Sequence, residues 1–127
     1  MNFNDRKIPD KKLTYAVIGV AMDVYNALGY GFLEKVYENA IKVGFTEKNI
    51  NAEFQKPIKI HYHNEIVGDY IADILVNDEL IIELKAVENL TDIHRAQVIN
   101  YLKATKLRLA LLINFGKEKL EYERIIN

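Results

Sequence analysis

The stretch Tyr70-Ile-Ala-Asp73-Ile-Leu-Val76-Asn77-Asp78-Glu79-Leu80-Ile-Ile-Glu83-Leu-Lys85-Ala86 decides how the rest of the chain is read. Its two apolar runs are rich in β-branched residues, and Asn77-Asp78-Glu79 between them has the composition of a turn. The pattern predicts strands over 66–76 and 80–87, joined as an antiparallel hairpin. Alternate residues of a strand share a face. Glu83 and Lys85 therefore point one way, while Ile82, Leu84 and Ala86 point the other, into a core. A turn of three residues pairs Val76 with Leu80 and carries Asp73 opposite Glu83, on one face. A two-residue turn would set Asp73 against Ile82 and put the acids on opposite faces. The reading therefore predicts the three-residue turn. The acids interrupt strands that are otherwise apolar, where a charge needs a reason.

Upstream, apolar residues recur at helical spacing through Leu13, Ala16, Val17, Val20, Ala21, Val24 and Leu28, and stop at Gly29-Tyr30-Gly31. A second helix carries Leu33, Val36, Tyr37, Ala40, Ile41 and Phe45 on its apolar side and ends near Asn49. The period then changes. Pro57 to Tyr62 alternates, with Ile58, Ile60 and Tyr62 on one side, and Asn64-Glu65 marks a turn. Downstream, Thr91 or Asp92 caps a third helix that runs to about Thr105. Leu107 to Asn114 is almost continuously apolar, as in a strand buried on both faces, and Leu120 to Ile126 makes a last strand. The order ααβββαββ predicts an α/β fold with a mixed sheet flanked by helices.

A length of 127 residues argues for one domain, residues 13–127, behind a lead-in over 1–12. Half of the residues are hydrophobic and 28% are charged, with no low-complexity tract, so the chain is expected to fold. There are no cysteines, which excludes a disulfide framework, a thiolate zinc site and a cysteine nucleophile. There is no serine either, so serine chemistry is excluded. The N-terminus lacks the apolar core of a signal peptide, and no apolar run approaches a membrane span. A cytoplasmic location with no membrane association is expected. The net charge of −1 argues mildly against a nucleic-acid partner, although metal-binding carboxylates count against the total and a basic stripe can sit inside a neutral sum.

Two acids as close as Asp73 and Glu83 are costly unless something positive lies between them. A hard divalent cation with oxygen ligands does this, and Mg²⁺ needs only one or two carboxylates. Lys85 could hold or deprotonate a water there, or stabilise charge developing on a phosphate. Taken alone, this short pattern also fits an ion-paired face of a solvated hairpin. Gln97 and Tyr101 share one face of the third helix, beside His94 and Arg95, and could equally serve packing. Glu34 opens the second helix, where the helix dipole favours a carboxylate, and either caps it or reaches the metal. His61 and His63 alternate on one strand, but no third ligand accompanies them. Gly29 and Gly31 lack the context of a phosphate-binding loop.

These constellations occur together and in order: Gly31-Phe-Leu-Glu34-Lys-Val-Tyr37, Asp73, Glu83-Leu-Lys85, Ala-Gln97-Val-Ile-Asn-Tyr101-Leu, and Leu-Leu-Ile-Asn-Phe-Gly116. On them the chain resembles the GxxExxY family of the PD-(D/E)xK nuclease superfamily, from about Leu13 to Ile126. The resemblance implies a restriction-endonuclease-like fold and Mg²⁺- or Mn²⁺-dependent hydrolysis of phosphodiesters by a metal-activated water. It implies Asp73 and Glu83 as metal ligands, Lys85 as the catalytic lysine and Glu34 as an additional helix carboxylate. Gln97 and Tyr101 match the QxxxY element of RecB-like exonucleases. Ala72 stands where the superfamily's name has Pro, a position that varies. The expected partner is nucleic acid, DNA in preference to RNA, approached through basic residues among Lys56, Lys59, Arg95, Lys103, Lys106 and Arg108. A homodimer would double that basic surface. The alternative is a nuclease-fold module that binds nucleic acid or a protein and does little chemistry.

Overall fold

The structure, a computed structural model, describes residues 7–127. Residues 1–6 of the expected lead-in lie outside the described residues, and its last two residues already belong to the first helix. Helix α1 (Lys11–Leu28) begins where the Asp10 carboxylate accepts the Lys12 N–H at 2.9 Å, and it stops at Gly29. Helix α2 (Glu34–Lys48) ends on Asn49, whose left-handed backbone caps it. Three strands follow, β1 (Ala52–Tyr62), β2 (Glu65–Val76) and β3 (Leu80–Lys85). Helix α3 (Asp92–Thr105) is entered through a capping box, in which Thr91 and His94 satisfy each other's backbone N–H. Strands β4 (Leu109–Asn114) and β5 (Glu121–Ile126) complete the chain.

The strands form one sheet in the order β1-β2-β3-β4-β5, with β3 and β4 parallel and the other neighbours antiparallel. The α3 crossover makes the parallel step possible. Helices α1 and α2 cover one face, packing Val17, Val20, Tyr37, Ile41 and Phe45 against Ile74, Ile82, Leu84 and Ile113. Helix α3 covers the other face with Val98, Tyr101 and Leu102 against Ile81, Ala110 and Leu112. β3 and β4 are thus sandwiched, which explains their unbroken apolar runs. The expected order and the mixed sheet with flanking helices are observed.

The hairpin has the expected register. Val76 pairs with Leu80, and Asn77 and Asp78 take left-handed conformations that their short polar side chains tolerate. Some strand boundaries differ from expectation. β1 begins at Ala52 rather than Pro57, because Ala52 and Phe54 pack in the α1/α2 layer. β3 ends at Lys85 rather than Val87, because the buried Asn114 side chain takes both the Val87 N–H (3.0 Å) and the Val87 carbonyl (2.9 Å) out of any ladder. The first hairpin turns at His63-Asn64, both left-handed, rather than at Asn64-Glu65.

One feature breaks simple alternation. Phe54, Ile74 and Val76 pack in the α1/α2 layer, whereas Ile58, Ile60 and Ala72 pack in the α3 layer. All are even-numbered, so a regular strand would place them on one face. The crossing falls at Gln55, with a φ of 56°, and at Asp73, the step that the β1–β2 pairing skips between Phe54↔Ile74 and Lys56↔Ala72.

The chain after β4 is equally confined. Gly116 lies so close to Ala86 and Val87 that an added Cβ would sit 2.3 Å from the Val87 backbone. Gly116→Ala is therefore expected to cost about 1–3 kcal/mol or more, because backbone rather than a flexible side chain must yield. Urea unfolding measures this; an unchanged midpoint would contradict the close approach.

Candidate metal centre

The β2–β3 ladder runs from Val76↔Leu80 to Ile74↔Ile82 and stops one step before the two acids. There the side chains replace backbone bonding. The Asp73 N–H donates to Glu83 Oε1 at 2.9 Å, and the Leu84 N–H donates to Asp73 Oδ2 at 2.8 Å. Beyond this point β2 stays with β1, while β3 follows β4 through Glu83↔Leu112 and Lys85↔Asn114. The two carboxylates thus fill the fork where the strands part. Each commits one oxygen to the opposite backbone. The other oxygen of each accepts no hydrogen bond among the described residues.

Burial makes this arrangement electrostatically tense. Glu83 is 3% exposed. Desolvation first, and the Asp73 charge second, push its carboxyl up to about 8, against the Asp73 N–H and Lys85, which favour the ionised form. Asp73 is also raised, chiefly by burial and further by Glu38 and Glu34, while the Leu84 N–H and Lys85 oppose the shift. Tyr101 is pushed up to about 12 by burial and by Glu83, so it stays a neutral phenol at ordinary pH.

Helix α3 supplies the polar support. Lys85 Nζ donates to Gln97 Oε1 at 3.2 Å, and Gln97 Nε2 donates to the Tyr101 hydroxyl at 3.0 Å. Gln97 therefore orients the lysine, and its fourfold spacing from Tyr101 builds the relay on one helix face. Helix α2 supplies negative charge from the other layer. Leu33, not Glu34, is the cap residue of α2, so the expected capping role of Glu34 is replaced by a place in its first turn. Glu34 is exposed and acts on both acids through its field. The Tyr37 hydroxyl pins the preceding loop by donating to the Gly29 carbonyl at 2.7 Å and accepting the Phe32 N–H at 3.2 Å. Its ring stacks on Phe115 at 4.4 Å, and Gly31, with a φ of 114°, makes the turn. Gly31 and Tyr37 thus fix where α2, and with it Glu34, begins.

Two residues were missed from the sequence. Glu38 is 5% exposed and is held by Lys35 at 2.6 Å and by the Gln55 amide. Its spacing from Glu34 places it on the same helix face, a signal that was legible. Gln55 carries no such signal, since nothing local announces a left-handed glutamine. Other candidates are not gathered here. His63 sits in the hairpin turn, stacked on Tyr62 at 4.0 Å, so the two histidines do not alternate on a strand. Arg95 is engaged by Glu123 and Asp92, and His94 is used in the α3 cap.

The model of one protein family, the PD-(D/E)XK nuclease superfamily, matches residues 11–125. The chain belongs to that superfamily. Among solved structures it is similar to the crystal structure of SSO0001, with a TM-score of 0.59 and 14% identity. That match covers 74% of this chain and 50% of the other, so this chain spans about half of its neighbour's length and the likeness concerns the fold. No protein of curated function matches the chain significantly.

PD-(D/E)XK nucleases typically use divalent metals. Among the described residues no three acidic or histidine groups form a ready-made cage. The donor set nevertheless fits a hard cation that keeps its waters, since Asp73 and Glu83 each present a carboxylate oxygen with no protein donor. Positive charge there would offset the burial cost of both carboxylates and the repulsion that Asp73 adds at Glu83 and that Glu38 and Glu34 add at Asp73.

Because Glu83 titrates near 8 when folded and at 4.5 ordinarily, the metal-free fold holds a proton that the unfolded chain has lost over that interval. Stability should fall as pH rises from about 4.5 to 8 and then level. A cation held there would compete with that proton, so a divalent cation such as Mg²⁺ is expected to raise the thermal midpoint more at about pH 8.5 than at about pH 6. Equal shifts at both pH values in thermal melts would contradict it.

Proposed function

We propose that this chain is a metal-dependent nuclease of the GxxExxY group that hydrolyses phosphodiester bonds of nucleic acid, DNA in preference to RNA. The observation that carries the proposal is the fork itself. Two buried carboxylates stand where a ladder should continue, each with an oxygen to spare, beside a lysine oriented by Gln97. A structural role alone needs only one accepting oxygen from each side chain, which an uncharged amide would supply without burying two like charges.

In this assignment Asp73 and Glu83 hold Mg²⁺ or Mn²⁺, with Glu34 as a further, outer carboxylate. When bound, such an ion supplies Lewis acidity toward a phosphoryl oxygen and lowers the pKa of water at the site. Lys85 directs its ammonium at the reacting phosphate and stabilises the charge that builds there. Gln97 keeps that ammonium aimed by accepting from it, and its amide is steadied by Tyr101. The Tyr101 phenol, which stays protonated, retains a hydroxyl proton to offer a phosphate oxygen. Burial between the two apolar layers lowers the local dielectric and strengthens each of these interactions.

Purified protein with Mg²⁺ or Mn²⁺ should cleave DNA, and Asp73→Asn or Lys85→Ala should lower the rate by about 10²-fold or more. Cleavage that survives both substitutions would assign the activity elsewhere. A second reading, a nuclease-fold module that binds without cutting, is favoured by the net charge of −1, which is low for a nucleic-acid enzyme. Calorimetric titration separates the two. Metal binding that depends on Asp73 supports the enzyme; no heat at millimolar Mg²⁺ supports the binding module.

A further inference from the structure

We propose that the groove between the β1–β2 hairpin and the C-terminal half of α3 binds single-stranded nucleic acid, with Tyr70 stacking on a base and Lys103 and Lys106 contacting phosphates. The proposal deepens the nuclease reading and rests on it for the class of ligand.

The groove has a volume of about 630 Å³ and is lined by Lys59, His61, Tyr70, Asn100, Lys103 and Lys106 among others; among the described residues no carboxylate lines it, and Asp69 pairs with Lys59. In a chain whose net charge is −1, that is a local segregation of positive charge. Most of the other basic residues once expected to meet phosphates are already engaged. Lys56 pairs with Glu53, Lys59 with Asp69, and Arg95 with Asp92 and Glu123. Lys103 and Lys106 are exposed and make no ion pair among the described residues. Their position near the end of α3 also suits the helix dipole. The dipole does not explain an aromatic ring left open beside them.

Tyr70 is that ring. It is 48% exposed, although it sits on a strand opposite the buried Ile58. Among the described residues its one aromatic neighbour is Tyr101, at 5.9 Å and tilted by 56°, so the ring is not sandwiched. Tyr101 in turn meets Gln97, and Gln97 meets Lys85. A base on Tyr70 would therefore lie beside the catalytic relay, and its strand would run from the groove into the fork. Aromatic platforms flanked by cations suit unpaired bases, whose faces are free, and not a duplex, whose faces are already stacked.

The test uses the full chain and fluorescein-labelled phosphorothioate DNA, which resists hydrolysis, as a short single strand and as a hairpin duplex of the same sequence. Binding is followed by fluorescence anisotropy in Mg²⁺. The single strand should bind more tightly than the duplex. Tyr70→Ala should weaken it by roughly 5- to 150-fold, while Tyr70→Phe, which keeps the ring, should restore binding. Lys103→Gln with Lys106→Gln should flatten the slope of log affinity against log salt by about 0.7 per lysine. Unchanged affinity in Tyr70→Ala, tighter binding of the duplex, or no binding at all would overturn the proposal. Cleavage of ordinary DNA by the same preparations separates the two readings. Tyr70-dependent binding without cleavage keeps the groove and removes the nuclease; cleavage with Tyr70-independent binding does the reverse.

Discussion

The structure turns on a place where backbone hydrogen bonding is surrendered to side chains. β2 is drawn toward β1 and β3 toward β4, so the ladder between them must open somewhere. It opens at Asp73 and Glu83, whose carboxylates accept the two N–H groups that would otherwise be left unpaired. An apolar residue at either position would orphan a buried amide. The acids are thus structurally required in part, and their second oxygens are what remains for chemistry.

Around that fork the charges come from both layers of the fold. Lys85 and its Gln97–Tyr101 relay belong to the α3 side, while Glu34 and the buried Glu38 belong to the α2 side. Four carboxylates therefore act on one region, offset only in part by Lys85 and by the pairing of Lys35 with Glu38. That excess of acid is one contribution to the near-neutral total charge of the chain. Four acids gather at the fork, while Lys103 and Lys106, which make no ion pair among the described residues, stand on the flank beside α3.

Much of this was legible in the sequence because it follows from period and turn length. The three-residue turn fixed the register of Val76 and Leu80, and from it the approach of Asp73 to Glu83. The continuous apolar run before Asn114 revealed a strand covered on both sides. The crossing of β1 and β2 between layers was not legible, because strict alternation is assumed in any such reading and Gln55 breaks it with a left-handed backbone. Glu38 was overlooked although its helical spacing from Glu34 announced it; a carboxylate beside an apolar tyrosine passes for a solvated residue until the packing is seen. The early end of β3 depended on the Asn114 side chain, whose partner Val87 is remote in sequence.

Anomalous diffraction from crystals soaked in Mn²⁺ would examine the fork most directly. A single strong peak bridging the Asp73 and Glu83 carboxylates, and absent from crystals of Asp73→Asn, is the expected result. No peak at saturating Mn²⁺, or one that lies away from these two side chains, would contradict the assignment of the fork as a cation site.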